Sequence, residues 1–119
     1  MYTPPPKTVL QQLTQGVMET ITFGMYVIHI GFDNGNRLSF SALFRFGPTE
    51  QFTELSINEF PLSESKLIRI LGCSVTDVMC EEDGTLNLVF SNGDAISIYA
   101  NNPMYEAYTL LIAGREYVV

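Results

Sequence analysis

Metal-binding and redox-active residues are scarce in this chain. Among its 119 residues there is no tryptophan, one histidine and only two cysteines. A structural zinc site generally takes four Cys or His ligands, and Cys73, Cys80 and His29 cannot supply four within one chain. A zinc site shared across a dimer is the alternative that this count leaves open. The sequence therefore predicts no metal and two reduced thiols that pack as small apolar side chains.

Basic side chains are also few, with six Lys and Arg against thirteen Asp and Glu, for a net charge of −7. Binding to a phosphate backbone depends on clusters of Lys and Arg, so we expect no nucleic-acid partner. The acidic excess lies in the second half. Residues 1–58 carry three basic and four acidic groups, whereas residues 59–119 carry three and nine. A charged partner should therefore be basic and should meet the second half.

Long apolar runs are missing as well. No stretch approaches the roughly 18 apolar residues of a membrane span, and the N-terminus MYTPPPK lacks the basic start and apolar core of a signal peptide. We therefore expect no membrane contact and a cytoplasmic location. The apolar fraction of 46%, with eight Phe and six Tyr, is too high for a disordered chain. The length predicts a single domain over residues 1–119.

Two similar stretches of alternating apolar residues stand out. They are IHIGFDNGNRLSF from Ile28 to Phe40 and LNLVFSNGDAISI from Leu86 to Ile98. Each places an Asn-Gly pair between two alternating runs, which is the strongest short-range signal of a β-hairpin. The pair predicts a type I′ turn, in which both central residues have positive φ.

A short helical pattern precedes each hairpin. The patterns run from Lys7 to Gln15 and from Ser63 to Leu71, and each is followed by a glycine and then a strand. This shared order predicts an internal duplication, with repeats at about 7–60 and 61–119. We therefore expect an α+β fold whose mainly antiparallel sheet is built from two tandem helix-strand-hairpin repeats with pseudo-two-fold symmetry.

Catalytic patterns are not evident. His29 lies within an apolar strand pattern, and no local residue supplies the nucleophile and the orienting acid that a triad requires. A half-exposed surface histidine is the favoured interpretation. No Walker loop, dinucleotide fingerprint or nucleophile elbow occurs. The sequence therefore predicts no catalytic residue and no cofactor.

Two acidic or aromatic stretches are the remaining candidates for a site. Glu81-Glu82-Asp83-Gly84 lacks the alternating spacing and distant bidentate Glu of a calcium loop, so it predicts a solvated turn. The segment from Pro103 to Tyr108 carries tyrosines, which suit interface anchors. An equally weighted alternative places Tyr108 in the core, with Tyr105 as a covering residue.

Three motifs resemble an uncharacterised family of small bacterial proteins. They are LGCSVTDV at Leu71 to Val78, GTLNLVFSNGD at Gly84 to Asp94, and YEAY at Tyr105 to Tyr108, where the family pattern ends in Trp. Some proteins of this kind look like antidotes encoded beside polymorphic bacterial toxins. The resemblance implies no activity and no catalytic residue.

The leading hypothesis is a non-enzymatic protein-binding module, specifically an immunity-type protein that occludes a basic toxin domain. The predicted partner-binding residues are acidic or aromatic: Glu81, Glu82, Asp83, Asp94, Tyr105, Glu106 and Tyr108. Two alternatives stay open. One is a small-ligand-binding or regulatory domain with a pocket at the seam between the repeats. The other is a homodimeric module joined through an exposed strand such as Arg115 to Val119.

Overall fold

The computed structural model describes residues 5–24, 27–41, 44–49, 53–55, 66–100 and 107–119. One α-helix, α1 (Lys7–Leu10), leads into a first 3-10 helix (Gln11–Gln15), and a second 3-10 helix spans Lys66–Ile70. The strands are β1 (Met18–Phe23), β2 (Ile28–Phe32), β3 (Arg37–Phe40), β4 (Phe44–Pro48), β5 (Thr53–Leu55), β6 (Val75–Cys80), β7 (Leu86–Phe90), β8 (Asp94–Ile98), β9 (Tyr108–Ile112) and β10 (Arg115–Val118).

The strands form two five-stranded antiparallel sheets. The first sheet has the order β1-β2-β3-β9-β10, and the second has the order β5-β4-β8-β7-β6. In the first sheet β3 pairs with β9, and in the second β4 pairs with β8. Each sheet therefore takes three strands from one half of the chain and two from the other. Neither half forms a sheet of its own.

The core lies between the sheets and draws on both. Strands β2, β7 and β9 bury every second residue, as expected for strands with one inward face. Strand β8 is buried at all five positions, so both of its faces are covered. Phe40 of the first sheet meets Phe44 of the second edge to face, with ring centroids 5.1 Å apart. The buried apolar side chains of both sheets make one continuous cluster.

The predicted α+β class is wrong, because the described chain is mostly β with only one short α-helix. The first predicted helix tightens to 3-10 geometry after Leu10. No side chain caps α1 at Pro6, and so short a helix has little stability of its own. Gly16 is extended (φ −114°) rather than a left-handed helix end. Of the second predicted helix, Lys66–Ile70 is 3-10, and residues 63–65 lie outside the described part.

The predicted turn type is also wrong at both Asn-Gly pairs. Register leaves a three-residue loop in each hairpin, residues 33–35 and 91–93, and only the glycine has positive φ. A three-residue loop that ends in a left-handed glycine is the next most common hairpin connection. The type I′ geometry occurs instead between β9 and β10, where Ala113 (φ 53°) and Gly114 (φ 81°) make a two-residue loop.

In the described ranges, no helix is both long enough and apolar enough to cross a membrane.

Candidate functional site

The acidic turn between β6 and β7, residues 81–84, is held in one shape by its own hydrogen bonds. The amide of Glu81 donates to the carbonyl of Thr85 at 2.8 Å, and the amide of Gly84 donates to the carbonyl of Glu81 at 2.9 Å. Gly84 makes this turn possible because its φ is 94°. The side chains of Glu81, Glu82 and Asp83 are exposed. The turn thus presents three carboxylates from a fixed backbone.

Asp83 also stabilises the turn directly. Its Oδ1 accepts a hydrogen bond from the amide of Thr85 at 2.9 Å. Because this bond favours the charged carboxylate, it lowers the pKa of Asp83 below its ordinary value. Glu81 is oriented from the neighbouring strand, where Asn87 Nδ2 donates to Glu81 Oε2 at 2.8 Å. Two of the three acids are therefore oriented as well as exposed.

A groove of about 210 Å³ adjoins the acidic turn, and we call it the α1–β6 groove. It runs between the start of α1 and the end of β6, and its lining is mainly apolar: Pro5, Lys7, Leu10, Val78, Met79, Cys80 and Glu81. Met79 is 58% exposed, which is unusual for a large apolar side chain. Glu81 belongs both to this groove and to the acidic turn. The groove was not predicted from the sequence, since its two sides are about 70 residues apart in the chain.

Tyr108, a predicted anchor residue, belongs to the core and is only 2% exposed. Its hydroxyl donates to the carbonyl of Gly84 at 2.7 Å and lies 3.5 Å from Cys80 Sγ. Burial is the main cause that raises the pKa of Tyr108 well above its ordinary range. Burial also raises the pKa of Cys80, while the hydrogen bond with Tyr108 acts in the opposite direction. Tyr108 therefore supports the acidic turn from behind instead of facing a partner.

Asp94 lies apart from the other acids and is 6% exposed. Its carboxylate accepts two hydrogen bonds from Arg69 and one from Asn92 Nδ2 at 2.9 Å. It begins β8 at one end of the β7–β8 hairpin, whereas the acidic turn precedes β7 at the other end. A five-residue strand separates the two by roughly 15 Å. Asp94 is thus an internal ion-pair partner.

Tyr105 and Glu106, the other two predicted partner-binding residues, lie outside the described residues. Of the seven predicted residues, the structure brings together three at the surface, in the acidic turn. Their role in binding stays a prediction.

His29 has a hydroxyl partner that sequence reasoning missed. Its Nδ1 lies 2.6 Å from Oγ of Ser39, directly across the β2–β3 pair. The hairpin register could have predicted the contact, because His29 and Ser39 are equidistant from the turn. The second hairpin has Asn87 and Ser97 opposite each other, with the Ser97 hydroxyl donating to Asn87 Oδ1. Asn87 occupies the position of His29 in the second hairpin and makes the same kind of cross-strand hydrogen bond, although an Asn side chain cannot act as a base. The shared contact therefore favours a structural role for His29.

The described residues that could act as metal ligands do not cluster. Among the residues that the structure describes, no group of three or more His, Cys, Asp or Glu side chains could hold a metal ion. Cys73 and Cys80 are both free thiols.

The chain was compared with protein-family profiles. A family profile described as "Family of unknown function (DUF6188)" covers residues 9–119. Searches of curated proteins and of solved structures returned no match.

Proposed function

We propose that this chain, which belongs to the DUF6188 family of unknown function, is a non-enzymatic protein-binding module of the cytoplasm. Specifically, it acts as an immunity-type protein that binds and occludes a cognate bacterial toxin. One observation carries the proposal. A hydrogen-bonded turn with three exposed carboxylates lies directly beside an apolar groove with an exposed methionine.

This combination suits a protein partner with a basic surface. Exposed charges on one side steer an oppositely charged partner and raise its association rate. Methionine adapts its shape to an incoming surface and suits an apolar contact at the centre of an interface. A standard interface buries roughly 1,600 Å² in total, which extends well beyond the groove and the turn. Tyr105 and Glu106, which lie outside the described residues, are still proposed as partner contacts, whereas the buried Asp94 and Tyr108 are not.

A test of the partner uses the protein encoded by the adjacent gene. We expect it to co-purify with this chain and to lose its toxicity in the complex. Replacing Glu81, Glu82 and Asp83 together by Gln, Gln and Asn should lower the association rate about tenfold or more at low salt and flatten its salt dependence. For the comparison with a control, the turn variant is Glu81→Gln/Glu82→Gln and the control variant is Glu19→Gln/Glu116→Gln, which removes the same number of exposed acids from the other sheet.

Two outcomes would contradict the proposal. The first is failure of the adjacent protein to bind the wild-type chain at micromolar concentrations. The second is an equal effect of the turn variant and the control variant on the association rate, since net charge alone would then explain binding.

The small-ligand alternative has less support from the groove itself. Small-molecule sites usually measure roughly 300–1,000 Å³, and the α1–β6 groove has about 210 Å³. The homodimer alternative has a specific feature in its favour, because β10 is an edge strand of the first sheet. Its residues Arg115 and Glu116 are exposed. A monomeric mass across a concentration series would exclude the homodimer.

A further inference from the structure

We propose that the α1–β6 groove receives one apolar side chain from the partner, carried on a segment with Lys or Arg on one side only. This inference rests on the proposed function, since it specifies the chemistry of the same partner. Three features of the groove support it: its apolar floor, the helical segment packed against its edge strand, and the opposite charges on its α1 and β6 sides.

The floor of the groove is apolar and small. Leu10 and Val78 line it, and each is only 2% exposed, so they form a closed base instead of an open patch. Met79 lies at the rim with more than half of its surface in water. An inserted aliphatic side chain would cover Met79 and remove apolar surface from water on both partners. The volume of about 210 Å³ is enough for one apolar side chain and is smaller than most small-molecule sites.

Strand β6 is poorly placed to pair through its backbone with an added strand beside the groove. β6 is an edge strand of the second sheet, and such edges often pair with an added strand. Here α1 and the first 3-10 helix pack against β6. In addition, the amide of Val78 donates to Asp77 Oδ1 at 3.0 Å, so its hydrogen bond is already made. A partner segment should therefore be recognised by its side chains.

The charges at the groove are distributed unequally. Glu81 lines one side, with Glu82 and Asp83 following it in the acidic turn, and Asn87 fixes the Glu81 carboxylate. Lys7 lines the groove on the α1 side. A cationic group is favoured beside Glu81 and disfavoured beside Lys7. A segment with basic residues on only one flank of its apolar residue is complementary to this charge distribution, with the basic flank beside Glu81.

The test uses the full chain with ¹³C-labelled methionine methyl groups and short synthetic peptides as probes. One peptide pair carries a central Leu with three Lys on its N-terminal or C-terminal flank. The comparison peptides replace Leu by Ser, or the three Lys by three Glu. We expect saturable shifts of the Met79 methyl resonance with a Leu/Lys peptide. The Ser peptide should bind about tenfold to a hundredfold more weakly, as burial of one aliphatic side chain predicts.

Protein variants test the site as well as the ligand. Met79→Ser lacks the methyl probe, so its peptide affinities are measured by isothermal titration calorimetry beside those of the wild-type chain. It should weaken Leu/Lys binding and leave Ser/Lys binding unchanged. Ile68→Ser is the matched control, because Ile68 is 63% exposed and lies outside the groove, in the second 3-10 helix. Equal affinity for the Leu and Ser peptides would overturn the proposal, as would the absence of a saturable shift.

The two proposals can fail separately. If the adjacent protein binds but Met79→Ser does not weaken the complex and no peptide shifts Met79, the groove inference is wrong and the immunity proposal stands. If the Leu/Lys peptide binds as expected and the adjacent protein does not, the groove inference stands and the choice of partner is wrong.

Discussion

Arg69 holds Asp94 through two hydrogen bonds, from Nη2 to Oδ1 at 2.8 Å and from Nε to Oδ2 at 3.2 Å. The bond pair ties the second 3-10 helix to the first residue of β8. The other hairpin has Asn36 at the matching position after its Asn-Gly pair. Asn36 is buried too, and its side chain reaches the carbonyl of Gln12 and the amide of Ala113. In both hairpins, a buried polar side chain after the turn anchors a distant segment.

Arg69→Met should lower the free energy of unfolding by about 1–3 kcal/mol, because it leaves a largely buried carboxylate short of donors. Asp94→Asn removes the negative charge and introduces the residue type of Asn36, which occupies the matching position in the first hairpin. The double variant should lose less stability than the sum of the two single variants, with a coupling of at least about 0.5 kcal/mol in urea unfolding. Arg115→Met is the control and should change stability by less than about 0.5 kcal/mol. Strict additivity would mean that the ion pair contributes nothing.

Tyr108→Phe should destabilise the protein by about 1–3 kcal/mol, because the buried carbonyl of Gly84 loses its hydrogen-bond donor. Chemical denaturation measures the change. Tyr117→Phe removes a hydroxyl from the half-buried Tyr117 in β10 and should have an effect below about 0.5 kcal/mol. Equal effects of the two substitutions would show that the Tyr108 hydroxyl bond is not stabilising.

Alkylation of Cys80 in a Cys73→Ser background should require a higher pH than alkylation of an ordinary cysteine, because burial raises its pKa. The urea-unfolded chain provides the reference profile. A folded profile at or below this reference would contradict the prediction.

The same shift affects stability. Since the pKa of Cys80 is raised in the folded state, the folded chain holds the thiol proton more tightly than the unfolded chain. The Cys80 thiol therefore makes its full contribution to the free energy of unfolding at pH values below the pKa of the unfolded thiol. This contribution declines as the pH rises above that value.

Ala113→Asn should raise the free energy of unfolding by about 0.5–1 kcal/mol, because Ala113 has φ 53° and Asn adopts this left-handed conformation more readily. The amide that donates to Asn36 stays in place. Gly114→Ala tests the opposite direction in the same turn. Its φ is 81° and no atom lies within 4 Å of an added Cβ, so the expected loss of about 1–2 kcal/mol is purely conformational. Thermal melting measures both changes, and a destabilising Ala113→Asn would contradict the argument.

Much of the local structure could be predicted from the sequence. The alternation of Ile28, Ile30 and Phe32 predicted a strand with these three residues on one face, and the structure shows that this face is buried. The same holds for Leu86 and Leu88 in the second. The helices were predicted less well, because a few apolar residues before a glycine cannot distinguish an α-helix from a 3-10 helix. The turn type depended on the strand register, and a dipeptide alone does not set the register.

The candidate site divides in the same way. The run of acids at Glu81 to Asp83 predicted an exposed turn, since consecutive carboxylates resist burial. Tyr108 and Asp94 were predicted as partner-binding residues for the same reason, an aromatic or acidic side chain, but both are buried. Their burial depends on Gly84 and Arg69, which reach them only in the folded chain.

The positions of strands and hairpins follow from the sequence, because alternation and turn chemistry act between near neighbours. The pairing of β3 with β9 and of β4 with β8, by which each sheet combines both halves of the chain, is a property of the folded chain. Any strand with an apolar face could pair with several others, and the pairing depends on how the ten described strands bury their apolar faces together. That pairing also places the start of α1 beside the end of β6, and so creates the groove on which the proposed function depends.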